Sequence, residues 1–188
     1  MSRPDLHGPG APFGLSWGVS RADVARRFSG INPKAEAGTI LTFHTDSILE
    51  IVQASGGLFP SALVSGTGRG EDEVIFVFSG DRLQSVTVCF SYGFAEIGQD
   101  PDALSDQAMS AFARAELHRS GFDFASRYGA PALLSEVPNR HGRMHVQGTA
   151  LFTAADSGQI QLLFGHDGGS NLVGEVRYRE PAADRSGL

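Results

Sequence analysis

The segment VIFVFSGDRLQSVTVCF, residues 74–90, limits what this chain can fold into more than any other. Val74 to Phe78 are apolar without interruption, so neither face of that strand is polar and it belongs in the interior of a sheet. Ser79-Gly80-Asp81-Arg82 supplies a turn. From Leu83 onward Val86, Val88 and Phe90 share one face, while Ser85, Thr87 and Cys89 share the other. The pattern is a tight antiparallel hairpin. A hairpin this apolar needs a second layer over it, either another sheet or amphipathic helices.

Two helices are predicted. Ser20 is an N-cap with Asp23 three residues on, Val24 and Phe28 recur at helical spacing, and Gly30 ends the run. The longer helix opens among Asp100, Asp102 and Asp106, where negative charge suits the helix dipole. Met109, Phe112, Ala113, Leu117, Phe124 and Tyr128 then fall on one half of a 3.6-residue wheel. Gln107, Arg114, Arg119 and Ser126 lie opposite. Gly121 weakens the helix by ~1 kcal/mol relative to Ala and is a point at which it could divide. Tyr128-Gly129-Ala130-Pro131 stops it.

Further strands are expected at Leu41–Phe43 and Ile48–Val52. In the last third, Met144, Val146, Gly148, Ala150 and Phe152 alternate with polar partners, which places His145, Gln147 and Thr149 on a solvent face. Ile160, Leu162 and Phe164 follow the Asp156-Ser157-Gly158 turn. Val176 and Tyr178 then face inward, with Glu175, Arg177 and Arg179 outward. The expected fold class is α+β, with antiparallel sheet covered by two main helices. One globular domain spans 13–180, between a flexible arm at 1–12 and a polar tail at 181–188. The segments VIFVFSGDRLQSVTVCF and ALFTAADSGQIQLLFG share the shape strand, Asp/Gly turn, strand. That likeness suggests a tandem duplication with halves 13–95 and 100–180, although a shared hairpin pattern accounts for it almost as well.

Composition narrows the function classes. The 188 residues are 41% hydrophobic and 19% charged, which suffices for a real core, and thirteen Phe supply much of its bulk. A formal net charge of −6 disfavours attraction to nucleic acid or anionic lipid. One cysteine, Cys89, leaves no internal disulfide to form. The first residues lack an apolar leader and no run of about 18 apolar residues occurs, so the cytoplasm is the expected compartment and no membrane partner is expected.

The stretch LSWGVSRADV, the hairpin VFSGDRLQSVTV and the later ASRYGAP followed by strands resemble the helix-plus-sheet repeats of the BamE lipoprotein family and of the tandem-repeat β-lactamase inhibitor protein. The resemblance covers about half of the chain. It implies two units of a helix on antiparallel sheet, and binding or inhibition of a protein partner without catalysis. The chain departs from the lipoprotein pattern in having no lipobox cysteine near its start, so membrane anchoring does not carry over.

Chemistry-bearing patterns are few. His141 and His145, with His166 and Asp167 further on, form the single constellation with metal-ligand residue types. Gly66-Thr67-Gly68-Arg69-Gly70 is glycine-rich, but the acids Glu71, Asp72 and Glu73 and then a strand follow it, where a phosphate cradle needs a helix N-terminus. Asp100, Asp102 and Asp106 lack the ligand series of a calcium loop. Cys89 lies in a strand with no His partner. No cofactor is expected, and an enzyme is the less favoured class. The leading expectation is a non-catalytic protein-binding module, an inhibitor or immunity-type protein or an assembly factor, with Tyr92 and Phe94 as exposed loop aromatics. The alternative is a small-ligand or metal-binding protein using His141, His145 and His166.

Overall fold

The computed structural model describes residues 11–44, 73–154, 158–169 and 171–182. The chain enters through a 3-10 turn and reaches α1 (Arg21–Arg27). The Ser20 hydroxyl caps this helix: its Oγ accepts the Asp23 N–H at 3.1 Å and donates to the Asp23 carboxylate at 2.7 Å. Four strands follow, β1 (Ala35–Ala37), β2 (Ile40–His44), β3 (Glu73–Ser79) and β4 (Arg82–Gly93). After two 3-10 turns comes α2 (Asp106–Tyr128), whose cap is Ser105, accepting from the Ala108 N–H. The chain ends in β5 (Leu133–Ser135), β6 (Asn139–His141), β7 (Met144–Thr153), β8 (Gln159–His166) and β9 (Asn171–Arg179). The predicted strand at Ile48–Val52 and the glycine-rich loop at 66–72 lie outside the described residues.

All nine strands among the described residues belong to one antiparallel sheet in the order β1-β2-β3-β4-β9-β8-β7-β5, with β6 also paired to β7. The protein is an α+β fold, as its strand and helix periodicities predict. The centre is the β4–β9 ladder, which runs from Ser85↔Arg179 to Gly93↔Asn171. On either side of it stands one helix followed by a meander whose last strand reaches the middle. The hairpin 74–90 is interior, flanked by β2 on one side and β9 on the other.

One continuous core lies on one face of this sheet. Under α1, the rings of Phe13, Phe28, Phe43 and Phe76 pack with centroids 5.4–6.4 Å apart. Under α2, Met109, Ala113, Leu117 and Phe124 press on β7, β8 and β9, the amphipathic face read from the sequence. Gly121 does not divide α2, which runs unbroken through it. Val74, Phe76 and Phe78 are buried, but Ile75 and Val77 on the other face are only half-buried. Among the described residues both helices lie on the core face, so the continuous apolar run of β3 does not mark a strand sandwiched between two helical layers. Trp17 is half-buried against the core, and its indole N–H is enclosed without a hydrogen-bond partner among the described residues.

Candidate functional site

The site begins with an irregularity in β7. Gly148 pairs with Phe164, but Val146 pairs with Gly165, so Gln147 is an extra residue that breaks the alternation. This bulge reverses the faces expected for the start of β7. Met144 and Val146 leave the core face and form a small cluster with Leu163 and Val173 on the opposite one. His145, expected in solvent beside Gln147 and Thr149, turns to the core side and meets His166 in register. Gln147 is itself buried, its Oε1 accepting from Arg114 of α2 and its Nε2 donating to the His145 carbonyl. Gly165 permits the close approach, because a Cβ there would lie 2.3 Å from the His145 carbonyl oxygen.

The His145 and His166 rings lie 5.1 Å apart and tilted by 35°. His166 is buried, with only 2% of its surface exposed. Its Nδ1 accepts the Gly168 N–H at 3.2 Å, and its Nε2 lies 3.3 Å from the Ser110 hydroxyl on α2. An Nδ1 that accepts from an amide carries no proton, so the neutral ring holds its proton on Nε2 and points it at Ser110. That polarity is opposite to the one a serine nucleophile needs, in which Nε2 accepts the hydroxyl proton. Burial, and then the neighbouring His145, hold the pKa of His166 below the ordinary 6.5, against the pull of Asp106 and Asp167. Asp167 ties down the β8–β9 turn: Oδ1 accepts from the Gly169 and Asn171 amides, and Oδ2 accepts from the Asn171 side chain.

Of the three imidazoles singled out in the sequence, the structure therefore brings two together. His141 on β6 pairs with Met144, which the bulge has sent to the other face, and its Nε2 lies 2.6 Å from the Arg177 guanidinium. Glu175 Oε2 accepts from the same guanidinium, at 2.7 Å from Nε and 2.5 Å from the Nη2 that faces His141. Among the described residues no three His, Cys, Asp or Glu side chains converge as a metal would require. Phe94, expected as an exposed loop aromatic, is fully buried, its ring 5.8 Å from Phe112, because the loop folds back as a 3-10 turn. Tyr92 is on β4 opposite Leu172 rather than in a loop, and its side chain lies outside the described residues. Asp100 and Asp106 are helix-start carboxylates, the former accepting from the Asp102 amide.

A second feature has no counterpart in the sequence reading. Four of the five large apolar side chains exposed among the described residues gather at one edge of the sheet: Phe122 (77% exposed), Leu133 (52%), Leu134 (47%) and Val137 (72%). His118 of α2 reaches Glu136 at 2.6 Å, which sets that side of the helix along β5. Phe122 lies one turn further on. With a rise of about 5.4 Å per helical turn and about 3.3 Å per strand residue, it comes level with Leu134. Leu134 pairs with the core-facing Ala150 and so stands on the helix side, while Leu133, opposite Leu151, stands on the other. The signal was present in the sequence, since Phe122 is a large apolar residue outside the buried stripe of α2.

The chain matches no protein-family model, no curated protein and no solved structure. What defines its class is the fold itself, which among the described residues is one nine-stranded antiparallel sheet with both α-helices on one face. No described helix is long and apolar enough to cross a membrane.

Proposed function

We propose that this protein is a non-catalytic binding module whose partner is another protein, engaged at the β5 edge of the sheet. The observation that carries the reading is the gathering of Phe122, Leu133, Leu134 and Val137 around an edge strand. Exposed apolar groups cost solvation and cluster where a partner covers them. Among the described residues no strand pairs with the outer main-chain groups of β5, so an extended segment of the partner can add to it by backbone hydrogen bonds. Glu136 and His118, paired at 2.6 Å, stand beside β5 and supply polar groups at the rim of an apolar centre. Helix-then-meander order is what the likeness to the BamE lipoproteins and the β-lactamase inhibitor protein implied, and inhibition or assembly through a protein contact belongs to this same reading. A cytoplasmic setting is part of the proposal, resting on the acidic composition and the single cysteine.

The reading is tested by capture from the native host with three proteins: wild type, Phe122→Ser, and Leu133→Lys. Both changes fall on exposed positions and should alter stability by less than about 0.5 kcal/mol. A partner retained by the wild type and lost by both variants supports the β5 edge. A partner held equally by all three removes the edge from the interface, and turnover of a small molecule by the purified protein removes the reading altogether.

A further inference from the structure

We infer that the adjacent His145–His166 pair is a proton-operated latch: with His166 neutral it fastens the start of α2 and the β8–β9 turn to the sheet, and with His166 protonated it releases the turn. The inference is independent of the β5 edge. It rests on where the two nitrogens of His166 point. Nε2–H faces Ser110 on α2, and Nδ1 takes the Gly168 N–H, so one neutral imidazole joins a helix, a strand and a turn. A proton added to Nδ1 converts that acceptor into a donor aimed at a donor. The Gly168 hydrogen bond must then break.

The groups around the pair make two arrangements available. Among the described residues the group that faces His166 from β7 is the His145 imidazole, tilted by 35° at 5.1 Å, and from β9 the apolar Leu172, opposite it in register. From β6, Arg140 pairs with His145 and adds positive charge at the exposed rim. These neighbours, together with burial, oppose a second positive charge. From α2 Asp106, and from the turn Asp167, supply carboxylates that favour it. A protonated His166 therefore gives up the amide of Gly168, keeps its Nε2–H on Ser110, and has two anions within electrostatic reach. Asp167 keeps its own bonds to Gly169 and Asn171, so the turn opens at Gly168 and stays anchored at its β9 end. Gly168 suits such a hinge: its φ is +79° and it packs over the His145 ring, where a Cβ would lie 3.4 Å from Nε2. The bulge at Gln147 exists, in this view, to bring His145 to the core side. Without it His145 would point away from His166 and the pair would not form.

The test is amide and imidazole NMR of the full chain across the imidazole range. In the wild type above about pH 7.5, His166 should show the Nε2–H tautomer and the Gly168 amide should be protected from exchange. As His166 takes up its proton, the protection factor of Gly168 should fall by about tenfold or more, and the Gly169 and Asn171 amides by much less. His166→Asn places an amide oxygen near the Nδ1 position, keeps the acceptor for Gly168 and cannot take a proton, so its Gly168 protection should not vary with pH. His145→Gln removes a neighbouring imidazole, so the Gly168 transition should move to higher pH. If the His166 variant does not fold, the wild-type titration and His145→Gln still decide. Gly168 protection that stays constant while His166 titrates, or an Nδ1–H tautomer at high pH, overturns the latch.

Discussion

Phe90 and Gly174 face one another across the β4–β9 ladder, and the Phe90 ring fills the space that a side chain at 174 would need. A Cβ at 174 would lie 2.3 Å from the ring's Cζ and 2.6 Å from Cε2. Gly174 is also opposite Phe164 on β8, and the two phenyl rings meet edge to face at 5.5 Å. Two aromatic residues from neighbouring strands thus close over one glycine at the join between the two halves of the sheet. Gly174→Ala must displace a ring that is only 3% exposed, and should cost about 1–3 kcal/mol in urea denaturation. A midpoint that does not move would show that Phe90 can turn away, and that the join is packed more loosely than its geometry states.

The seating of α2 makes a paired prediction. Phe124 is fully buried, with Tyr128 at 5.8 Å and Phe152 at 5.9 Å, whereas Phe122 two residues earlier is 77% exposed. Phe124→Ala should cost about 3–5 kcal/mol through lost contacts and the cavity left behind. Phe122→Ser should cost less than about 0.5 kcal/mol. Equal losses at the two positions, read from chemical denaturation, would mean that the helix is rotated about its axis or that Phe122 is covered in solution.

The α+β class, the interior hairpin 74–90 and the buried stripe of α2 were legible because each rests on a period that one stretch of chain displays by itself. Ser20 shows the same local logic, capping the helix that follows, whereas Ser105, the cap of α2, was hidden among the aspartates at that helix's start. Position 147 was not legible by alternation. A strict two-residue period carries Met144 and Val146 to the core and His145 to solvent, and one inserted residue inverts all three. The clue was Gly165 on the facing strand, a glycine within an apolar run, since only a residue without a Cβ lets the bulged backbone approach. The His145–His166 pair depended on that bulge and so could not be read from either histidine's own surroundings. Phe94 failed for a related reason: a glycine-flanked segment looks like an open loop until a partner such as Phe112, eighteen residues away, draws it inward.

Gly121 offers a stabilising change. It sits inside α2, half-buried, and a Cβ added there meets nothing within 4 Å. Alanine restricts the unfolded chain more than glycine and fits the helical backbone without strain. Gly121→Ala should therefore raise stability by about 0.5–1 kcal/mol, visible as a higher denaturation midpoint with an unchanged slope. A loss instead would mean that the helix uses this glycine to bend.

The pH dependence of stability follows from two adjacent residues with opposite linkage. Burial and His145 hold the pKa of His166 below the 6.5 of an exposed imidazole. The unfolded chain then binds this proton at higher pH than the folded one, so the neutral ring's contribution is complete above 6.5 and declines as pH falls toward the folded value. For Asp167, burial alone would raise the pKa, but hydrogen bonds from Asn171 and Gly169 outweigh it and bring the group below 3.8. Its contribution is complete above 3.8 and is lost only as pH drops through the lower folded value. Between 3.8 and 6.5 the histidine acts while the aspartate stays charged. Urea midpoints should thus form a plateau at neutral pH and fall across that window, with His166→Asn giving a shallower fall than the wild type. A wild-type curve as shallow as that of the variant would mean that His166 enters the folded state with an ordinary affinity for its proton, and that burial and the neighbouring His145 do not hold it neutral.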